Sequence, residues 1–206
     1  GVEALWHPKT AYLITDYFEG KDLWHRVITE NIIFSSSQVI VFGLELIRLV
    51  QYIHSRGIII RELKPENIMM CNDGSVALFD FNVSMPLSYD WDKDYLELKD
   101  TVKHGFADDG WEYFTHPQDR HKPNIRSDIF TLGMLLFFVV TGEEFYQGNN
   151  RKKIGLDLVK DEALREIIAC AIGPRKIRYN DTESLAQDLE NLQQRCYCGH
   201  WAMGRV

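Results

Sequence analysis

Two short polar clusters carry the chemistry of this 206-residue chain, Arg61-Glu-Leu-Lys-Pro-Glu-Asn67 and Asp80-Phe-Asn82. Between them lie two apolar runs, Ile68-Met-Met70 and Val76-Ala-Leu-Phe79, joined by Cys71-Asn-Asp-Gly-Ser75. Asp-Gly between apolar runs predicts a hairpin. Pairing of its strands brings Asn67 and Asp80 together at one end. An amide oxygen beside a carboxylate is a hard-oxygen site, suited to Mg²⁺ with bound phosphates. Lys64 would meet a phosphate as a point charge, and Glu62 would serve as a carboxylate base wherever it reaches a substrate hydroxyl. Each residue also has a plainer reading. Asn67 and Asp80 favour turns in any protein, Glu62 can pair a nearby Lys or Arg, and Lys64 can be a solvated surface charge.

The elements that would position these residues follow from periodicity. Val39, Phe42, Leu46, Val50 and Ile53 recur at helical steps, predicting a helix over 38–56 with caps in Ser35–Ser37 and a stop at Gly57. Tyr12–Phe18 reads as a strand ended by Glu19-Gly20, 21–30 as a short helix, and Ile58–Ile60 as a buried strand. Residues 80–118 form a long acidic stretch. Ser127–Thr141 is almost wholly apolar, which predicts a helix at the centre of the fold, stopped by Gly142. Asp161–Ala171 and Thr182–Gln194 read as amphipathic helices. The fold class is therefore α+β, mainly α, with a small β hairpin element set between the first long helix and the central one.

In order and spacing, residues 10–192 resemble the C-terminal lobe of eukaryotic-type (Hanks-type) Ser/Thr protein kinases. Ile60-Arg-Glu-Leu-Lys-Pro-Glu-Asn67 stands where that family has its catalytic loop H-R-D-L-x-x-x-N. Asp80-Phe-Asn82 stands at D-F-G and His116-Pro-Gln118 at A-P-E. Ser127-Asp-Ile-Phe-Thr-Leu-Gly133 is similar to the start of the buried central helix, and Arg178 to the late Arg that pairs with the A-P-E glutamate. The resemblance implies ATP and Mg²⁺ as cofactors and a protein as substrate or partner. Asn67 and Asp80 would hold the metal, Glu62 would be the base, and Lys64 would neutralise the transferred phosphate. Thr15 falls at the gatekeeper. The backbone of Asp16 and Phe18 would meet the adenine, and Met69 would be the floor beneath it. Arg61 would bind a phosphorylated activation segment or pair with the acidic stretch. Ser84, Ser88, Tyr89, Thr101 and Thr115 are possible phosphorylation sites.

The departures matter equally. Glu62 replaces the catalytic Asp, and a displacement of about 1 Å can cost on the order of 10²-fold in rate. Ile60 replaces the His, an exchange that keeps packing and loses a hydrogen bond. Asn82 replaces the D-F-G glycine, a mild change if positive φ is required there. Gln118 loses the charge-assisted pair with Arg178. Only 11 residues precede Tyr12, and none supplies the glycine-rich loop or the Lys and Glu of an N-terminal lobe. The sequence thus divides into a fifth-strand and hinge remnant (1–20), a kinase-like C-lobe (21–195) and a tail (196–206), with the N-terminal lobe absent. Either the chain is a fragment of a longer protein or it is a C-lobe-only module. Three functions follow: a degenerate, pseudokinase-like Ser/Thr kinase with weak or absent phosphoryl transfer, a piece of an active kinase using Glu62, or a kinase-like interaction module without nucleotide.

Composition narrows the field. A formal charge of −7 argues against nucleic-acid binding. The longest apolar stretch, 129–140, is too short to span a bilayer. Four cysteines in 206 residues make no disulfide framework, which favours a cytoplasmic setting. Cys71 and Cys170 read as core. Cys196, Cys198 and His200 offer three zinc-type ligands where a structural site needs four.

Overall fold

A computed structural model describes residues 3–7, 10–88, 124–143 and 155–203. The acidic stretch from Tyr89 onward, with Thr101, Thr115 and His116-Pro-Gln118, lies outside these residues, and so does every side chain past Arg195.

Among the described residues four α-helices build the body: α1 (Ser36–Ser55), α2 (Ile125–Thr141), α3 (Glu162–Ala171) and α4 (Thr182–Met203). Helix α1 packs against α4 and α2, and α3 packs against α2 and α4. Their starts are set by side-chain caps. Ser35 and Gln38 form a capping box on α1, Asn124 and Ser127 form one on α2, and the Asp161 carboxylate accepts from the Leu164 N–H on α3. Helix α1 ends where predicted, since Gly57 adopts φ +73°, a conformation open to glycine at little cost. Helix α2 is buried on nearly every side from Ser127 to Val139, as its composition demanded. Helix α1 alone among the described residues is long and apolar enough to cross a membrane. Here its apolar side chains, among them Val39, Ile40, Leu46 and Val50, belong to the core.

The described residues also include seven short strands. β1 (Glu3–His7) and β2 (Thr10–Ile14) form an antiparallel pair. β3 (Gly20–Asp22), β5 (Ile68–Cys71) and β6 (Val76–Leu78) make a three-stranded sheet with β5 central. β4 (Ile58–Ile59) pairs with β7 (Met85–Pro86).

Some boundaries differ from expectation. The strand expected over Tyr12–Phe18 is β2, which ends at Ile14 and leaves 15–19 irregular. The expected 21–30 helix opens as strand β3, and its helical part is a π-helical turn, His25–Thr29. Ile60 lies outside β4, because its backbone N–H is drawn to a carboxylate rather than to a strand. The backbone of α4 continues to Met203, through Cys196, Cys198 and His200.

Candidate active site

The loop from Ile60 to Asn67 is fastened from below by one acid in the central helix. Asp128 is fully buried. Its Oδ2 accepts from the Ile60 N–H at 2.9 Å and its Oδ1 from the Arg61 N–H at 2.9 Å. Oδ2 also lies 2.7 Å from Nε2 of His54 in the last turn of α1. A carboxylate with this many partners fixes the entry to the loop, and it joins α1, α2 and the loop in one network. Arg61 takes φ +70°, uncommon for a side-chain-bearing residue, and the two amides held on Asp128 stabilise that bend.

From Arg61 the chain rises to the mouth of the fold. Glu62 is only 3 % exposed. Its Oε1 accepts from Lys64 Nζ at 2.7 Å. Burial pushes the Glu62 carboxyl above its ordinary value; the Lys64 ammonium pulls it back, and the charges of Asp80 and Glu66 push it up again. Asn67 is buried and closes a short helical turn, Pro65–Asn67. Its Nδ2 donates to the Glu62 carbonyl at 3.2 Å, which ties the two residues and leaves Oδ1 as the acceptor end of the amide.

The hairpin register brings in the second cluster as predicted. Ile68 pairs with Leu78, and the Phe79 N–H donates to the Asn67 carbonyl at 3.1 Å. Asp80 is therefore one residue beyond a backbone bond to Asn67. It is exposed and sits at φ +63°. Positive φ, which Asn82 would tolerate, occurs instead at Asp80, a residue type that also tolerates the left-handed region. The segment after Asp80 returns to the loop. Ser84 Oγ donates to the Ile60 carbonyl at 3.1 Å, and an Arg61 guanidinium nitrogen donates to the Val83 carbonyl at 3.3 Å.

Other expected residues fall as follows. Asp16 and Phe18 are exposed in the irregular segment before β3. Met69 is half-buried on β5, opposite Asp22 on β3 and Ala77 on β6. Ile60 is buried in the main core, as an apolar replacement for histidine should be. Arg178 lies over the Phe130 ring and donates from Nε to the Gly173 carbonyl at 2.9 Å; its expected partner Gln118 lies outside the described residues. Cys71 is buried, but Cys170 is only half-buried, its thiol 3.0 Å from the Ile177 carbonyl. Sequence reasoning missed the anchoring by Asp128 and His54. The signal was an acid inside an almost wholly apolar helix and a histidine one residue past the apolar stripe of α1.

Comparison with known proteins places this geometry. The model of the protein kinase domain matches residues 2–201. A putative ribosomal protein S6 kinase alpha-1 of Caenorhabditis elegans is 30% identical over 151 residues, 72% of this chain and 18% of the relative. Ribosomal protein S6 kinase 2 alpha of Xenopus laevis is 29% identical over 180 residues, 86% of this chain and 22% of the relative. Human ribosomal protein S6 kinase alpha-3 is 33% identical over 143 residues, 69% of this chain and 18% of the relative. The chain spans about a fifth of the length of the curated relatives it matches. A loop fastened to a buried helix, a hairpin joining it to an acidic residue, and a family match over nearly the whole sequence agree: the chain belongs to the protein kinase domain family.

Proposed function

We propose that this chain is the C-terminal lobe of a degenerate Ser/Thr protein kinase, one that keeps part of a Mg²⁺-ATP site and transfers phosphoryl groups weakly or not at all. The observation that carries the reading is the Glu62–Lys64 pair at 2.7 Å. A base must reach the substrate hydroxyl, within about 2.6–3.2 Å. Here the carboxylate at the base position is one methylene longer than aspartate and engaged by the neighbouring ammonium. Burial raises its proton affinity, which by itself favours a base; the longer side chain and its engagement by Lys64 weigh the other way, toward a structural charge pair.

The remaining half-site fits Mg²⁺ and phosphate by donor chemistry. The Oδ1 of Asn67 and the carboxylate of Asp80 are hard oxygens at one end of the hairpin, as Mg²⁺ requires, with phosphate and water completing its octahedron. Bound Mg²⁺ would supply neutralisation of phosphate charge. Asn67 and Asp80 would hold it, Met69 would support the base, and the Asp16 and Phe18 backbone would orient it. The substrate or partner would be a protein, and free thiols at Cys71 and Cys170 suit a cytoplasmic setting.

The test is Mg²⁺-ATP binding by thermal shift and calorimetry, on this chain and on the complete protein, beside Asp80→Ala. Binding abolished by Asp80→Ala, together with little γ-phosphate transfer to a Ser/Thr peptide array, supports the proposal. Transfer by the complete protein in the usual kinase range, about 1–100 s⁻¹, would replace it with an active kinase using Glu62. No binding by the complete protein would replace it with an interaction module.

A further inference from the structure

The stretch after β3 folds into a rare element. His25–Thr29 is a single π-helical turn, a form often found at functional sites. Its closing bond runs from the Glu30 N–H to the His25 carbonyl at 3.0 Å. Asn31 then takes φ +54°, which ends the turn. The inner side is anchored, with Val27 buried in the core and the Trp24 ring stacked on Phe138 of α2. The outer side gathers charge around one carboxylate. Lys21 Nζ donates to Glu30 Oε1, Arg26 Nη1 donates to Oε2 at 3.2 Å, and His25 Nε2 lies 3.8 Å from Oε1. The Lys21 hydrogen bond holds the Glu30 carboxyl below its ordinary value. Asp22 is committed to the backbone, where its Oδ1 accepts from the His25 N–H at 2.7 Å. Two permanent cations and an imidazole thus share the single charge of Glu30. Beside Glu30 stands Thr29, an exposed hydroxyl.

We infer that Thr29 is a phosphorylation site whose phosphate is held by Lys21, His25 and Arg26. A Ser/Thr kinase acting on this chain would move the γ-phosphoryl group of ATP to Thr29 Oγ. The new P–O bond forms as the bond to ADP breaks, and the hydroxyl proton leaves to a base of that enzyme. The product carries about −1.5 to −2 charge and three acceptor oxygens. In a turn closed by an i→i+5 bond, the fourth and fifth residues onward both stand over the first, so Thr29 and Glu30 flank His25. A phosphate on Thr29 therefore enters the same cluster from one residue earlier. Lys21 and Arg26 reach it by rotating long stems. Its greater charge draws them from Glu30, and like-charge repulsion turns Glu30 toward solvent. Lys21 lies on β3 opposite Met70 of β5, so the phosphate would tie the turn to the three-stranded sheet more firmly than Glu30 does. None of these residues has a part in the proposed Mg²⁺-ATP site, and the inference does not depend on that reading.

The first test is phosphopeptide mapping of the complete protein from the cells that make it. Trypsin releases Val27–Arg48, and fragmentation separates Thr29 from Ser35, Ser36 and Ser37. Phosphate on Thr29 is expected. Recovery of this peptide with Thr29 always unmodified, whether or not the serines carry phosphate, would overturn the inference. The second test installs phosphothreonine at position 29 of the complete protein by genetic encoding. Its ³¹P resonance is followed with pH beside a free phosphopeptide of residues 21–34. Lys21 and Arg26 favour the dianion, while Glu19, Asp22 and Glu30 on the same segment, and Glu66 on the short turn packed against β3, oppose it. The second acid constant, from a free-group pKa of about 6, should exceed that of the peptide about three-fold or more. Lys21→Gln with Arg26→Gln should return it to the peptide's value, with circular dichroism checking the fold. An acid constant equal to the peptide's in the otherwise unsubstituted protein would overturn the inference, whatever the variants do.

Discussion

Two buried carboxylates serve the same loop, Asp128 on the amides of Ile60 and Arg61 and Glu62 as the next residue, and they do different work. Asp128 has no exposure, two backbone N–H donors and an imidazole contact. Glu62 has 3 % exposure and one ammonium partner on a flexible stem. Burial is nearly the same, so burial does not separate the two acids. The donors do. Backbone amides cannot rotate away, whereas a lysine can be withdrawn or replaced. The loop is therefore rigid where it leaves the core and adjustable where it meets the mouth.

The comparison breaks first if Asp128 proves dispensable. Asp128→Ala leaves two loop amides and His54 without their partner, and should cost about 3–5 kcal/mol of stability, read by urea denaturation. A loss below about 1 kcal/mol would show that the loop is held by packing alone. His54→Ala removes one of the three contacts and keeps both amides, so about 1.5–3 kcal/mol is expected from the same measurement.

At Glu62 the expected stability effect is small and its pH dependence carries the information. The Glu62 carboxyl is raised in the folded state, so the fold binds its proton more tightly than the unfolded chain does. Its contribution is fully present below the unfolded value near 4.5 and is lost as pH rises through the folded value. The melting temperature of the wild type minus that of Glu62→Gln should therefore fall as pH rises from about 4 toward neutrality. Lys64→Met removes the group that pulls the carboxyl down, and should make that fall steeper and carry it to higher pH. A flat difference in both would contradict the account of Glu62. The smallest effect belongs to the far side of the loop, where Ser84→Ala loses one hydroxyl bond to the Ile60 carbonyl, about 0.5–1.5 kcal/mol.

Much of the scaffold was legible in the sequence, because it rests on periodicity and local chemistry. The apolar stripe of α1, the continuous apolar run of α2 and the Asp-Gly turn each declare an element with few alternatives. The hairpin then placed Asn67 beside Asp80 by register alone. Less was legible where a single residue's partner comes from far along the chain. Asp128 meets the loop across 67 and 68 residues of sequence, a tie no local pattern encodes. Residues 15–18 read as strand because Tyr17 and Phe18 have the residue types of one, yet both are exposed, Tyr17 at 88 %. The positive φ at Asp80 rather than Asn82 is of the same kind: both residue types allow it, and tertiary geometry chose.

Under the proposed function, Glu62 held by Lys64 would be what weakens transfer at this loop. The direct measurement is γ-phosphate transfer by the complete protein and by Glu62→Asp, each with its Mg²⁺-ATP affinity. The account predicts that Glu62→Asp raises the transfer rate by about ten-fold or more while nucleotide affinity stays within about two-fold, since about 1 Å of carboxylate placement is worth up to ~10²-fold. A rate that stays the same or falls would contradict it.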